Sequence, residues 1–268
     1  MRVPRLTTSY NSLIKSAIIA LLISYNGFSQ NIKYYPEFNN YGSWSFGGSY
    51  YYQQKDKQTE IYGDYTYDAK YMNGFAFSLR KTFNKAGRFS YITGLTLNFN
   101  TVYKYDVFLP REDINSPIFN EDLKFTYTPM DKRMNFSVPV ILQYKSQMSR
   151  KVYFNIQVGV DLLYMEAGGA DRTLIINDIA DNEIPRFYYE SYSREDVKFY
   201  PNAVISSGFY FMFNKFMVQT NIVYQKALIS QYKGFMYFDN LKPNGKTLIE
   251  NEKSGDYLGI SLQLFFSK

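Results

Sequence analysis

The stretch Val152-Tyr153-Phe154-Asn155-Ile156-Gln157-Val158-Gly159-Val160-Asp161-Leu162-Leu163-Tyr164 decides the fold class. Every second residue from Val152 to Tyr164 is apolar or aromatic, while Asn155, Gln157, Gly159 and Asp161 fall between them. A repeat of this period is a β-strand with one greasy face and one small, polar face. The segment before it repeats the pattern, with Met134, Phe136, Val138, Val140, Leu142 and Tyr144 set against Asn135, Ser137 and Gln143. So does the last segment, where Leu258, Ile260, Leu262, Leu264 and Phe266 alternate with Gly259, Ser261 and Gln263.

Working outward, five further segments alternate less strictly: 43–53, 71–83, 89–103, 201–213 and 216–225. Their polar faces carry Ser45, Gly47 and Ser49, then Gly74, Ala76, Ser78 and Arg80, then Gly94, Thr96, Asn98 and Asn100, and later Ser206, Gly208, Gln219, Asn221 and Gln225. The total of eight strands is even, as closure of a bacterial barrel requires. The connections alternate in length. Those at 84–88, 145–150 and 214–215 are short, whereas those at 54–70, 104–133, 165–200 and 226–256 are long. Loops of such length are uncommon in compact soluble domains, but an up-and-down transmembrane barrel with short periplasmic turns and long extracellular loops produces this rhythm directly.

Composition narrows the chemistry. The 268 residues include 28 Tyr, 23 Phe and 1 Trp but no Cys and no His. Without Cys there is no disulfide, thiolate nucleophile or Cys-bound zinc. Without His the usual general base is missing, so Ser-His-Asp and Cys-His arrangements cannot exist. The chain therefore reads as no enzyme, and no cofactor or metal site is expected.

Residues 1–29 read as an export signal: Arg2, Arg5 and Lys15 precede the apolar run 17–23, and Asn26 to Gln30 form a polar exit. That run is far shorter than the roughly 18 residues a spanning helix needs. The formal charge of +6 includes three positives in the signal, leaving +3 for the rest, and a nucleic-acid partner loses its main support. The expected organisation is a signal at 1–29, a periplasmic lead-in at 30–42 and a barrel domain at 43–268.

Periodicity alone does not say whether the greasy face points in or out. A soluble eight-stranded ligand barrel of the lipocalin type is the competing fold, and Gly42-Ser43-Trp44 matches its Gly-x-Trp. Against it stand polar faces made of Ser, Asn, Gln and Gly, where a soluble exterior would carry Lys and Glu. Aromatics also gather near strand ends, as at Tyr50, Tyr51, Tyr52, Tyr144, Tyr164, Phe213, Phe216, Tyr224 and Phe266, where a membrane-interface belt would lie.

The run Asn135-Phe136-Ser137-Val138-Pro139-Val140-Ile141-Leu142-Gln143-Tyr144-Lys145, followed after a short turn by Tyr153-Phe154-Asn155-Ile156-Gln157-Val158-Gly159-Val160, resembles the central hairpin of the PorT-like outer-membrane barrels of Bacteroidota. Phe28-Ser29-Gln30 is similar to the end of many signal peptides from that group. The resemblance covers about 30 residues and implies an eight-stranded barrel, some of whose relatives serve type IX secretion. Pro139 cannot donate to a ladder and is expected at a bulge or unpaired position.

Few constellations carry chemistry. Arg80 and Asp161 are the expected lumen charges, yet their distances from the neighbouring turns place them at different depths, so each is expected to bond to lumen Asn, Gln, Tyr or water instead of to the other. The acidic loop 165–200 offers Asp178, Asp181 and Glu183 to a hard cation, but without the spacing of a calcium loop it reads as solvated. Gly168-Gly169 marks a turn.

These features add up to an all-β, eight-stranded antiparallel barrel in the bacterial outer membrane, acting as a scaffold or accessory subunit of a larger complex. A small pore or transporter and a surface adhesin are the alternatives. Partners are outer-membrane lipid and other outer-membrane or periplasmic proteins. Tyr188, Tyr189, Tyr192, Phe235 and Tyr237 in the long loops are the candidate partner contacts, because interface centres favour aromatic residues.

Overall fold

The computed structural model describes residues 34–53, 57–62, 66–69, 72–100, 105–114, 121–127, 134–165, 169–175, 186–193, 198–239, 247–253 and 255–268. The expected signal at 1–29 and the candidate cation ligands Asp178, Asp181 and Glu183 lie outside them.

Eight long strands close into an antiparallel barrel: β1 (Trp44–Gln53), β4 (Met72–Phe83), β5 (Phe89–Asn100), β8 (Met134–Gln147), β9 (Val152–Tyr164), β12 (Phe199–Met212), β13 (Phe216–Ala227) and β16 (Tyr257–Phe266). Each pairs with its sequence neighbours, and β1 meets β16 to complete the ring. The alternation read in the sequence is the alternation of the wall. Val158 is 45% exposed on the outside, while Gln157 beside it is 1% exposed within. Along the wall strands the exterior carries residues such as Phe46, Phe77, Leu95, Ile205, Ile222 and Ile260, and the interior is mainly Ser, Thr, Asn, Gln and Gly, joined by Ile92, Ile141, Tyr153, Tyr210 and by Tyr51, which the sequence placed in the outer belt and which turns inward instead. The greasy face therefore points outward, the reverse of a soluble ligand barrel, and such an exterior is what a barrel presents to hydrocarbon.

Rings line both rims of this exterior. At the end of the short turns Phe213 and Phe216 stack at 4.8 Å beside outward-facing Trp44, Phe83 and Phe266. At the other end Phe75 stacks on Phe99 at 4.9 Å and Phe136 on Tyr164 at 4.7 Å.

The wall is strongly sheared. A row of paired residues starts at Gln219 near the turn end of β13 and runs through Gln263, Gly47, Ser78, Thr96, Ser137 and Leu163 to Tyr200 near the loop end of β12. Tilt of this kind closes eight strands into a cylinder just wide enough to be filled by side chains. Tight curvature brings backbones together, and two glycines make it feasible. A Cβ on Gly208 would lie 1.8 Å from the Thr220 carbonyl oxygen, and one on Gly94 would lie 2.1 Å from that of Leu79. Pro139 sits where expected: the β5–β8 ladder lapses between the Thr93–Val140 and Thr96–Ser137 pairs, opposite Val138 and Pro139.

The short turns fall where the sequence placed them, except that β8 runs on through Gln147 into the connection expected at 145–150. Asn84 takes a left-handed backbone (φ 49°), its carbonyl accepts from Gly87 N at 3.0 Å, and its Nδ2 donates to the Phe89 carbonyl at 2.8 Å. The long connections do not stay loops. They contain β2 (Lys57–Tyr62), β3 (Thr66–Ala69), β6 (Tyr105–Leu109), β7 (Leu123–Tyr127), β10 (Gly169–Ile175), β11 (Arg186–Ser193), β14 (Tyr232–Asp239) and β15 (Thr247–Lys253). Above β9, β12, β13, β16 and β1 they form a five-stranded sheet in the order β10-β11-β14-β15-β2; above β4, β5 and β8 they form a three-stranded sheet, β3-β6-β7. The barrel wall thus continues past its loop end as two separate sheets. A hairpin extending a wall strand keeps its backbone groups paired at little cost, which a disordered excursion would not do.

Candidate functional site

The lumen is the place where function would be sited, and it divides into three levels. At the turn end it is closed by the protein's own N-terminal segment. Pro36–Asn40 forms a short 3-10 helix, Pro36 fixing its first turn, and it inserts Phe38 into the mouth of the barrel. Phe38 is 1% exposed; its ring meets Tyr153 edge-on at 4.9 Å and Tyr210 at 5.2 Å. Tyr35 meets Tyr153 at 5.1 Å, and Ala86, Met212, Met217 and Phe265 complete the apolar cluster. The Lys145 ammonium lies over the Phe38 ring at 4.3 Å and donates to the Lys85 carbonyl, while the Lys85 ammonium donates to the Tyr41 carbonyl.

Backbone bonds tie the same segment to the rim. Tyr35 N donates to the Ala86 carbonyl at 2.7 Å, Gly42 N to that of Phe266 at 2.7 Å, and Lys268 N to that of Asn40 at 3.0 Å. Tyr41 OH donates to the Phe213 carbonyl at 2.8 Å. Burial holds the Lys85 ammonium below the usual lysine value, with the charge of Lys268 adding to the effect, and burial raises the Tyr41 phenol. Expected only as a lead-in, residues 34–42 are therefore a plug. The one hint in the sequence was an aromatic and proline cluster, Tyr34-Tyr35-Pro36-Glu37-Phe38, placed just ahead of the first strand.

Above the plug the interior is a bonded polar layer. Gln143 Nε2 donates to Tyr210 OH at 2.9 Å and to Asn155 Oδ1 at 3.3 Å, and Gln219 Nε2 reaches the same Asn155 oxygen at 3.1 Å. Ser90 Oγ donates to Gln143 Oε1 at 3.2 Å, and Gln263 joins Ser45 and Ser78. These bonds draw on side chains from all eight wall strands. Unmet polar atoms occur at several levels: Thr82 Oγ1, Arg80 Nε and Asn155 Nδ2 toward the turn end, and Gln157 Nε2, Asp161 Oδ1, Gln225 Oε1 and both amide atoms of Asn202 and Asn221 farther up, are buried without a protein partner. Groups of this kind in native barrels are met by ordered water. Arg80 and Asp161 form no ion pair among the described residues. The sequence reading allows water as well as lumen side chains as partners of Arg80, and its Nε, without a protein acceptor, is left to water.

The loop end is pinned by charge. Lys226 Nζ and Asp256 Oδ2 are 2.6 Å apart, and Asp256 Oδ1 accepts from Ala227 N at 2.8 Å, which locks the top of β13 to the start of β16. Tyr51 and Tyr257 stack at 4.6 Å across the upper lumen, and Leu163, Met165 and Tyr200 form a small apolar cluster beside Ile229. The five candidate contact residues come together on two adjacent strands. Tyr188 pairs with Tyr237, Glu190 with Phe235, Tyr192 with Lys233 and Tyr189 with Met236. By register Tyr188 and Tyr192 share the sheet face of Phe235 and Tyr237. Tyr189 takes the opposite face, the one on which Met236 is fully buried. Sequence spacing brought all five to the loop end but did not show that Tyr189 parts from the other four.

A closed eight-stranded antiparallel barrel with an apolar, aromatic-rimmed exterior and a polar interior is a transmembrane β-barrel. No protein-family model matches the chain, and no curated protein does. Among solved structures, the outer membrane protein OprG from Pseudomonas aeruginosa is similar at 12% identity and a TM-score of 0.42, over 87% of this chain and 99% of that one.

Proposed function

We propose that the protein is a non-conducting barrel of the bacterial outer membrane that serves as a scaffold or accessory subunit of a larger complex, its turn end in the periplasm and its loop-end sheets outside. The observation that carries this reading is the closed mouth: Tyr35, Phe38 and Tyr41 seal one end with the protein's own chain, and the Gln143–Asn155–Gln219 bonds tie β8, β9 and β13 together inside the barrel above it. A conduit would leave that mouth open. The non-enzymatic part rests on the missing His and Cys. The resemblance of the 135–160 hairpin to PorT-like barrels supports a secretion or uptake assembly as the setting.

A transporter is the second reading, and the unpaired amides of Asn202, Asn221 and Gln157 favour it, because they mark a hydrated upper lumen. Planar-bilayer recording separates the two. Little or no steady conductance is expected from the intact chain; large, stable single channels would replace the scaffold with the transporter. Co-purification from native outer membrane then identifies the complex.

A further inference from the structure

Charge is divided between the two ends of this barrel with unusual severity. Of the 24 acidic residues, 22 lie in the four long connections, which sum to a formal charge of −5. The short turns and strand ends opposite them hold Lys81, Lys85, Arg88, Lys145, Arg150, Lys151, Lys215 and Lys268, and the one acid among the described residues there is Glu37. Two of these cations, Lys85 and Lys145, turn into the mouth and are used by the plug. Of the other six, Lys268 follows the last strand beside the plug, and the rest lie on the turns and strand ends of the rim.

Their placement says what they face. Lys81 is on the outer face of β4, and its ammonium lies 5.5 Å from the Trp44 ring centre and 5.0 Å from that of Phe83. The Arg88 guanidinium lies 4.7 Å from the Tyr144 ring and donates to its hydroxyl. Arg150, Lys151, Lys215 and Lys268 are exposed beside the Phe213–Phe216 pair and Phe266 at the same rim. Among the described residues none of the six has an acid within ion-pair distance. Cations set just beyond an aromatic girdle sit at the level of lipid headgroups, their stems over the rings and their charges toward the interface.

We infer that the turn-end rim is a binding belt for anionic phospholipid headgroups of the periplasmic leaflet, with Lys81, Arg88, Arg150, Lys151, Lys215 and Lys268 meeting the phosphates. The inference rests on the lipid-facing wall and periplasmic turn end proposed above. A lipid fits better than a protein docked beneath the barrel, because Lys85 and Lys145, the cations that enter the mouth, are already bonded there, while Lys81 is held over the outward-facing rings of Trp44 and Phe83. Each Lys or Arg held at a charged bilayer surface strengthens attraction to anionic lipid, and salt screens it.

The test uses the full chain folded in detergent and a variant carrying Lys81→Gln, Arg150→Gln, Lys151→Gln and Lys215→Gln. Native mass spectrometry with added phosphatidylglycerol or phosphatidylethanolamine reads lipid retention, and heat-modifiable migration after mixing with phosphatidylcholine vesicles reads insertion. The wild-type chain should insert and retain phosphatidylglycerol in preference, and the variant should insert but lose that preference by about fivefold or more. Raised ionic strength should weaken the wild-type preference, a result that stands even if the variant folds poorly. Equal retention of both lipids by wild type, a preference unmoved by salt, or one unchanged in the variant would overturn the belt while leaving the barrel reading intact. A chain that inserts into no vesicle overturns the membrane reading itself. Cosedimentation of wild type, but not variant, with peptidoglycan in the absence of any lipid preference would assign the cations to the wall polymer and remove the lipid.

Discussion

Facing is decided one residue at a time, and the Gln157–Val158 pair shows how. Gln157 turns inward, its Oε1 accepting from Ser206 Oγ at 3.0 Å, while Val158 stands on the exterior. Arginine at position 158 would put a charge into hydrocarbon at mid-wall, which costs about 2 to 4 kcal/mol, whereas Gln157→Asn keeps an amide among polar neighbours and should cost less than about 1 kcal/mol. Folding titrations into lipid vesicles should return that asymmetry. Equal costs, or a larger one for Gln157→Asn, would mean that lipid does not meet the outer face. This alternation is also the most legible part of the sequence. Because a strand has a period of two, the polar set Asn155, Gln157 and Asp161 could be assigned to one face before any fold was known. Which face was inside followed from residue type, since Ser, Asn and Gln suit a wet interior and not a soluble exterior.

At the scale of elements, the strand at Val152–Tyr164 has the bounds that its alternation predicts, and β12 begins two residues earlier and ends one earlier than its own did. The plug was not legible as a plug. Tyr35, Phe38 and Tyr41 find their partners at Tyr153, Tyr210, Phe213 and Phe265, more than a hundred residues away, and no local pattern announces contacts of that separation. The hairpins above the wall were missed for a different reason. β11 and β14 are dense in Tyr and Phe without clean alternation, so their strand character shows only once the wall strands beneath them are in register. The plug is the element on which the scaffold reading turns, and it can be loosened alone. Phe38→Ala removes the ring that fills the mouth, and truncation of a buried Phe typically costs about 3 to 5 kcal/mol. Most of that loss should fall on docking of residues 34–42, because the ladder of β1 to β16 does not pass through them. Limited chymotrypsin digestion in detergent should cut the variant near Tyr35 or Tyr41 while the intact protein resists and both barrels stay heat-modifiable. Equal resistance would mean that the backbone bonds of Tyr35 and Gly42 hold the segment without its side chain.

On the scale of the whole molecule, the barrel joins two ends that differ in charge, shape and occupancy: a sealed, cationic turn end and an acidic loop end drawn out into two sheets. The partner recognition proposed above would fall to the second, because there the connections extend beyond what closing the hairpins requires. Within the five-stranded sheet, register sorts the candidates. Tyr188, Tyr192, Phe235 and Tyr237 share one face, and Tyr189 lies on the face where Met236 is buried. The two faces should therefore answer differently to the same chemistry. Replacing Tyr188 and Tyr192 together with Ser should leave the barrel folded and reduce recovery of co-purifying protein from native membrane by about tenfold or more, since truncating an aromatic at an interface centre often costs 2 kcal/mol or above. Tyr189→Ser should instead lower the stability of the sheet, seen as faster proteolysis of the loop end, with partner recovery falling only as far as the sheet is lost. If the Tyr188 and Tyr192 pair can be removed without loss of partner, and the same holds for Phe235 and Tyr237, the sheet is not the contact, and the lipid-facing wall or the periplasmic turns take its place.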